Sequence, residues 1–225
     1  MMRETRRISG SMMAAVLMAA GLFVVAGCTL PGFVASVIPK TIHPLYVLED
    51  VNTLVLVDDP GRALNSRQDA SLVAETVAVA LRREGVVTRF VEPREVETLR
   101  LNHADFDTWS LTRIGREVGA EQIIEVRVTG IALRGQNAYV QPLASAEIKV
   151  FDPMVQKRMF PNPNHPADSA GHPVTASHFF QDSSVASGTD PATLKRQIGL
   201  KLAETTAKLF YKHLQEDEST AGVGL

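Results

Sequence analysis

Arg3, Arg6 and Arg7 precede an uncharged apolar run from Met12 to Ala26, and that run leads into Val25-Ala26-Gly27-Cys28. A basic head stays on the cytoplasmic side of a bilayer, an apolar middle enters it as a helix, and small residues before a cleavage point fit a narrow peptidase groove. The run falls short of the roughly 20 apolar residues that cross a hydrocarbon core. Residues 1–27 therefore read as an export signal, and the fold must be built from residues 28–225. Taking 27 residues from 225 leaves 198, enough for one core but hardly for two domains of usual size.

Val25-Ala26-Gly27-Cys28 resembles the lipobox of bacterial lipoproteins. The resemblance implies that the leader is cut just before Cys28 and that Cys28 is acylated, with palmitate-type chains, as the new first residue. Each buried methylene of such chains adds about 0.8 kcal/mol of membrane affinity. Cys28 is the chain's only cysteine, so once it is acylated neither a disulfide nor a cysteine nucleophile remains. Thr29 is not the Asp that retains many such lipoproteins on the inner membrane, which favours the periplasmic face of the outer membrane. Without residues 1–27 the balance is 20 Lys and Arg against 24 Asp and Glu, a net charge of −4. That disfavours a second, electrostatic membrane contact. Near-neutral charge without a basic cluster also speaks against nucleic acid as a partner.

Residues 28–50 hold Pro31, Pro39 and Pro44 and read as the lipidated Cys and a tether that docks near Tyr46. A folded domain is expected over 51–215, followed by a flexible tail over 216–225. Val51 to Val57 reads as a buried strand stopped at Asp58-Asp59-Pro60-Gly61. Ser66 and Asp69 resemble a capping box for a first helix with Leu72, Val73, Val77, Ala80 and Leu81 on one stripe and Gly85 past its end. Val86 to Val91 is expected as a second strand. Asp107 is expected to open a second helix carrying Leu111, Ile114 and Val118, with Gly119 closing it. Ile124, Val126 and Val128 then alternate with polar residues, as in a half-exposed strand, and Ala144 to Val150 repeats the pattern. Arg134 to Asn137 would reverse the chain between them, and Lys157 to Phe160 adds a short strand. Residues 161–190, crowded with Pro, Asn, His, Ser and Gly, show neither period and read as a loop insertion. Asp190-Pro191 starts a last helix with Leu194, Ile198, Leu202 and Leu209 on one stripe. The expected fold is a single α/β (α+β) domain with a mixed sheet, in the order β-α-β-α-β-β-(β)-α.

That order resembles a group of bacterial envelope lipoproteins, through Gly119-Ala120-Glu121-Gln122-Ile123-Ile124 and the later Ala146-Glu147-Ile148-Lys149-Val150-Phe151-Asp152. The group comprises the curli secretion lipoprotein, the activators of penicillin-binding proteins and the related TolB amino-terminal domain. The resemblance implies a non-enzymatic interaction module for secretion, envelope assembly or cell-wall enzyme activation, with another envelope protein or a second copy as partner.

No catalytic constellation accompanies this pattern. Leu54 to Asp59 resembles the first strand of a response-regulator receiver, whose paired acids hold Mg²⁺. Leu101 to Asp105, however, is not the second apolar strand that chemistry needs. Carboxylates before Pro-Gly more often form turns. His165, His172 and His178 sit in the insertion without a compact ligand spacing. The alternative function they allow, with the acidic turn, is a metal-dependent extracytoplasmic enzyme. Otherwise no cofactor or metal is expected. Phe106 and Trp109 are expected to plug the core. Phe160, Phe179 and Phe180 are the expected anchors for a partner.

Overall fold

The computed structural model describes residues 40–133, 142–164, 170–178 and 189–215. Residues 42–213 belong to one unit, and residues 40–41 with 214–215 belong to another. In the second unit the Gln215 N–H donates to the Lys40 carbonyl at 2.7 Å. The first unit carries a five-stranded mixed sheet and its helices.

Thr53–Asp58 (β1) runs parallel to Gln122–Ala132 (β2), which pairs antiparallel with Leu143–Asp152 (β3). The far side of β3 is shared. His172–Ser177 (β5) covers Leu143 to Ile148, and Lys157–Phe160 (β4) covers Val150 to Asp152. The helices are Arg67–Arg83 (α1), Pro93–Asn102 (α2), Leu111–Glu117 (α3) and Pro191–Ala207 (α4).

β1 is apolar at every position from 54 to 57 because both of its faces are covered. Val55 and Val57 join Ile124, Val126, Ile148 and Val150 beneath α1 and α4, where Val73, Val77, Ile198 and Leu202 point inward. Leu54, Leu56 and Ile123 face a second cluster built by Val96, Phe106, Trp109 and Ile114. The sheet is therefore sandwiched along β1 and the start of β2. The expected half-exposure of β2 begins only at Arg127, since Ile123 and Glu125 are covered as well. Glu125, 7% exposed, keeps its charge compensated by Lys149 on β3 at 3.4 Å.

Local chemistry sets the helix ends. The Ser66 hydroxyl accepts from the Asp69 N–H, and the Asp190 carboxylate accepts from the Thr193 N–H with Pro191 in the first turn, so orphan donors are satisfied at both starts. Asp69 does not complete a capping box. Its side chain is buried and accepts from Arg196 Nε at 2.8 Å, tying α1 to α4. Gly85 and Gly119 take φ of +68° and +65° just past α1 and α3, where only glycine is free of strain. Asp152 turns β3 into β4 by accepting the N–H groups of Met154 and Val155, and Gln156, at φ 57°, takes the left-handed position there.

Three expectations require correction. Val86 to Val91 forms no strand; it meets β1 only through a bridge between Phe90 and Thr53. Glu92 and Pro93 turn the chain into α2 immediately afterwards, with Glu92 and Glu95 capping each other, before a ladder can grow. The second helix begins at Leu111, capped by Ser110, and Phe106–Thr108 is a separate 3₁₀ turn. Within the expected loop insertion lies β5. Its Val174 and Ala176 are buried while Pro173 and Thr175 are exposed, a two-residue period interrupted by proline. The His178 N–H donates to the Pro142 carbonyl at 3.1 Å. In an antiparallel ladder this assigns His172, Val174 and Ala176 to β3 and turns Pro173 outward, where its missing N–H breaks no bond.

Gly115 marks the tightest approach of α3 to the hairpin. An added Cβ would lie 2.7 Å from Pro153 Cβ and 2.9 Å from Ile123 Cδ1. Gly115→Ala is expected to destabilise the domain by about 1–3 kcal/mol, as overpacking does, read as a lower urea midpoint.

Candidate functional site

At the carboxyl end of β1 the sheet opens into a cavity of about 760 Å³. Leu56 and Val57 form part of its floor, α1 contributes Arg67 and Ala70, α2 contributes Arg100, and the segment leading into α3 contributes Phe106, Asp107 and Trp109. The loop after β1 holds its shape through Asp59, whose two oxygens accept from the N–H groups of Ala63 and Leu64, each at 2.8 Å. Arg62, in this loop, takes φ 51°. Asn65 Nδ2 donates to the Ala192 carbonyl at 2.8 Å and fastens the loop to the start of α4.

Most charges around the cavity are already compensated. Asp58 accepts from Arg127 Nε at 2.9 Å, and this hydrogen bond, against partial desolvation, raises the Arg127 pKa above its ordinary value. Arg100 pairs with Glu97 at 2.9 Å and lies 3.9 Å from Asp107, with its guanidinium over the Phe106 ring. Arg62 and Arg67, exposed at the rim, have no ion-pair partner among the described residues. The described lining contains no His, Cys or Lys. Leu56, Val57, Phe106 and Trp109 give it apolar surface, and Arg62 and Arg67 stand at its rim beside Asp58, Asp59 and Asp107.

Trp109 and Phe106 take their expected places in the core, at 9% and 4% exposure. Trp109 also faces the cavity, with the Arg113 guanidinium 3.6 Å from its ring centre and His103 at 4.7 Å. The Trp109 side chain beside Asp105 lowers the carboxyl pKa of Asp105, and the nearby Arg113 and His103 add to the effect. Asp50 is lowered as well, chiefly because the Thr88 N–H and hydroxyl donate to it. Carboxyls depressed below the ordinary 3.8 contribute stability above the unfolded pKa and lose it as pH falls through the folded one. The melting temperature should therefore drop as pH falls through and below the ordinary carboxyl value of 3.8, and Asp50→Asn should flatten that drop, as pH-dependent calorimetry would show.

The residues singled out in the sequence are not brought together. Val25, Ala26, Gly27, Cys28, His165, Phe179 and Phe180 lie outside the described residues. Phe160 is no exposed anchor. It is 9% exposed, with its ring against Tyr46, His172 and Phe210, because it sits opposite Val150 on the core face. Tyr46 packs its ring against Phe160 at 5.5 Å between centroids. Its phenol pKa is raised by burial first, then by Glu49 and Asp152. His172 opens β5 and His178 follows its end, so about 20 Å of strand separates them. Among the described residues no group of three or more potential metal ligands forms, and no helix is long and apolar enough to cross a membrane. Arg62, Arg67 and Arg100 drew no attention in the sequence. The available signal was Glu92-Pro93 with Glu95, a helix start that brings Arg100 to the sheet.

No protein-family model matches the chain, and no curated protein matches it. Solved structures similar to it include the PelC dodecamer from Paraburkholderia phytofirmans, at 9% identity and a TM-score of 0.36, covering 74% of this chain and 96% of that one. Lipoprotein GNA1162 from Neisseria meningitidis matches at 14% identity and a TM-score of 0.41, covering 66% and 92%. The LpoB carboxyl-terminal domain from Salmonella enterica matches at 16% identity and a TM-score of 0.34, covering 60% and 86%. The fold itself, α/β with an open mixed sheet, rests on the elements described above.

Proposed function

We propose that the chain is a lipid-anchored protein of the bacterial envelope whose α/β domain works by binding another protein rather than by catalysis. The observation that carries this reading is the basic, apolar and small-residue succession that ends at Cys28, the only cysteine. Acylation there holds the chain on the membrane, and Thr29 directs it to the outer membrane facing the periplasm. The domain supplies a concave surface whose described carboxylates Asp58, Asp59 and Glu125 are engaged by Arg127, by backbone N–H groups and by Lys149, an arrangement suited to holding a partner. The role is support of secretion, envelope assembly or a cell-wall enzyme.

The test is fractionation of a diderm bacterium that produces the full-length chain. The protein should sediment with outer membranes, resist high salt and carbonate, and leave only in detergent; recovery in the soluble periplasm refutes the anchor. Crosslinking in the same envelopes, with mass spectrometry of the products, identifies the partner. Self-crosslinks alone transfer the role to a homo-oligomeric scaffold.

A further inference from the structure

The outer edge of β1 is only partly used. On the side away from β2, the Thr53 N–H donates to the Arg89 carbonyl and the Thr53 carbonyl accepts from the Val91 N–H, both at 3.0 Å. Backbone groups alternate along a strand, so Val55 and Val57 turn their N–H and C=O groups to that same side. No hydrogen bond from the described residues reaches them there. Beside Val55 and Val57 runs a narrow cleft of about 20 Å³, bordered by Ala74 of α1 and Val96 of α2. Val57 also lines the 760 Å³ cavity. The edge is thus occupied at Thr53, narrow beside Val55 and widest at its carboxyl end.

The width and charge of that opening define what fits. The walls are two helices of the same domain, so a single extended chain can enter where the sheet edge of a second folded copy cannot. Asp58 and Glu125 are paired with Arg127 and Lys149, Asp59 is held by backbone N–H groups, and Asp107 lies 3.9 Å from Arg100, which leaves Arg62 and Arg67 as the rim's cations without an ion-pair partner among the described residues. Phe106 and Trp109 provide apolar surface below them.

We propose that this cavity binds an extended peptide segment of a partner protein, laid against Val57 as a short added strand, with an acidic side chain on Arg62 and Arg67. The proposal rests on the reading of the domain as an interaction module. Main-chain bonds to the edge supply affinity, and the apolar floor and cationic rim supply selectivity.

The experiment offers the full-length protein in detergent to a display library of random heptapeptides. Enriched sequences should combine β-branched or aromatic residues with Asp or Glu. A synthetic peptide from that set should change the fluorescence of Trp109, the chain's only tryptophan. Arg62→Glu with Arg67→Glu should weaken binding by about 10-fold or more, while the corresponding double Lys variant retains it. N-methylation of the peptide's central amide should abolish binding, and Arg83→Glu, at the exposed far end of α1, should leave it unchanged. Absence of enrichment, enrichment of basic peptides, or binding that survives the double Glu variant overturns the proposal. Lipid attachment has no part in this assay, so failure of the Cys28 anchor and failure of the peptide site are told apart.

Discussion

Ile148→Ala is expected to lower stability by about 2–5 kcal/mol, a large share of the roughly 5–15 kcal/mol that holds a domain together. Ile148 is fully buried at the middle of β3, opposite Val126 on β2 and His172 on β5. Removing its methyl groups leaves a hole walled by strands on both sides, which hydrogen bonding keeps from collapsing inward. Leu143, at the start of the same strand, is 38% exposed, and Leu143→Ala should cost less than about 1 kcal/mol. Urea denaturation should show the Ile148 variant with a lower midpoint and an unchanged slope. Equal costs for the two variants would mean that β3 is not the strand on which both sides of the sheet depend.

The second large effect is all-or-none. Cys28→Ala removes the only sulfur in the chain that can carry a thioether or thioester lipid. It should abolish incorporation of an alkyne-labelled palmitate and release the domain from detergent-dependent membrane association. On the proposed reading acyl chains supply the membrane affinity, about 0.8 kcal/mol per buried methylene, and residues 28–225 carry a net negative charge, so no residual electrostatic attachment is expected. Label persisting on the Ala variant would place the lipid elsewhere and refute the lipobox reading.

Elements with strong periods were legible in the sequence. β1, α1, β2, β3 and α4 all carry either a continuous apolar run or a clear stripe, and their stops at Asp58-Asp59, Gly85 and Asp152 coincide with turn chemistry seen in the fold. What escaped has physical causes. β5 has too few residues to show alternation once Pro173 interrupts it. α2 has one buried residue, Val96, so its stripe is too thin to be seen. Val86 to Val91 has the composition of a strand, but a ladder also needs a free neighbouring edge for several residues, and α2 takes the chain away first. The cavity could not be read at all, because Arg62, Arg67, Arg100 and Trp109 converge from four separate segments. Their common surroundings are a property of the sheet, not of any local pattern. Phe160 illustrates the converse. An aromatic in a short edge strand invites a surface role, and only its register opposite Val150 shows it facing inward.

Pro173 has a consequence for growth. With Pro173 turned outward on β5 and Thr53 already engaged on β1, neither margin of the sheet offers a full row of donors and acceptors. A second sheet laid along β5 or β1 would meet an interrupted ladder at Pro173 or at Thr53, so edge-to-edge stacking of copies is disfavoured.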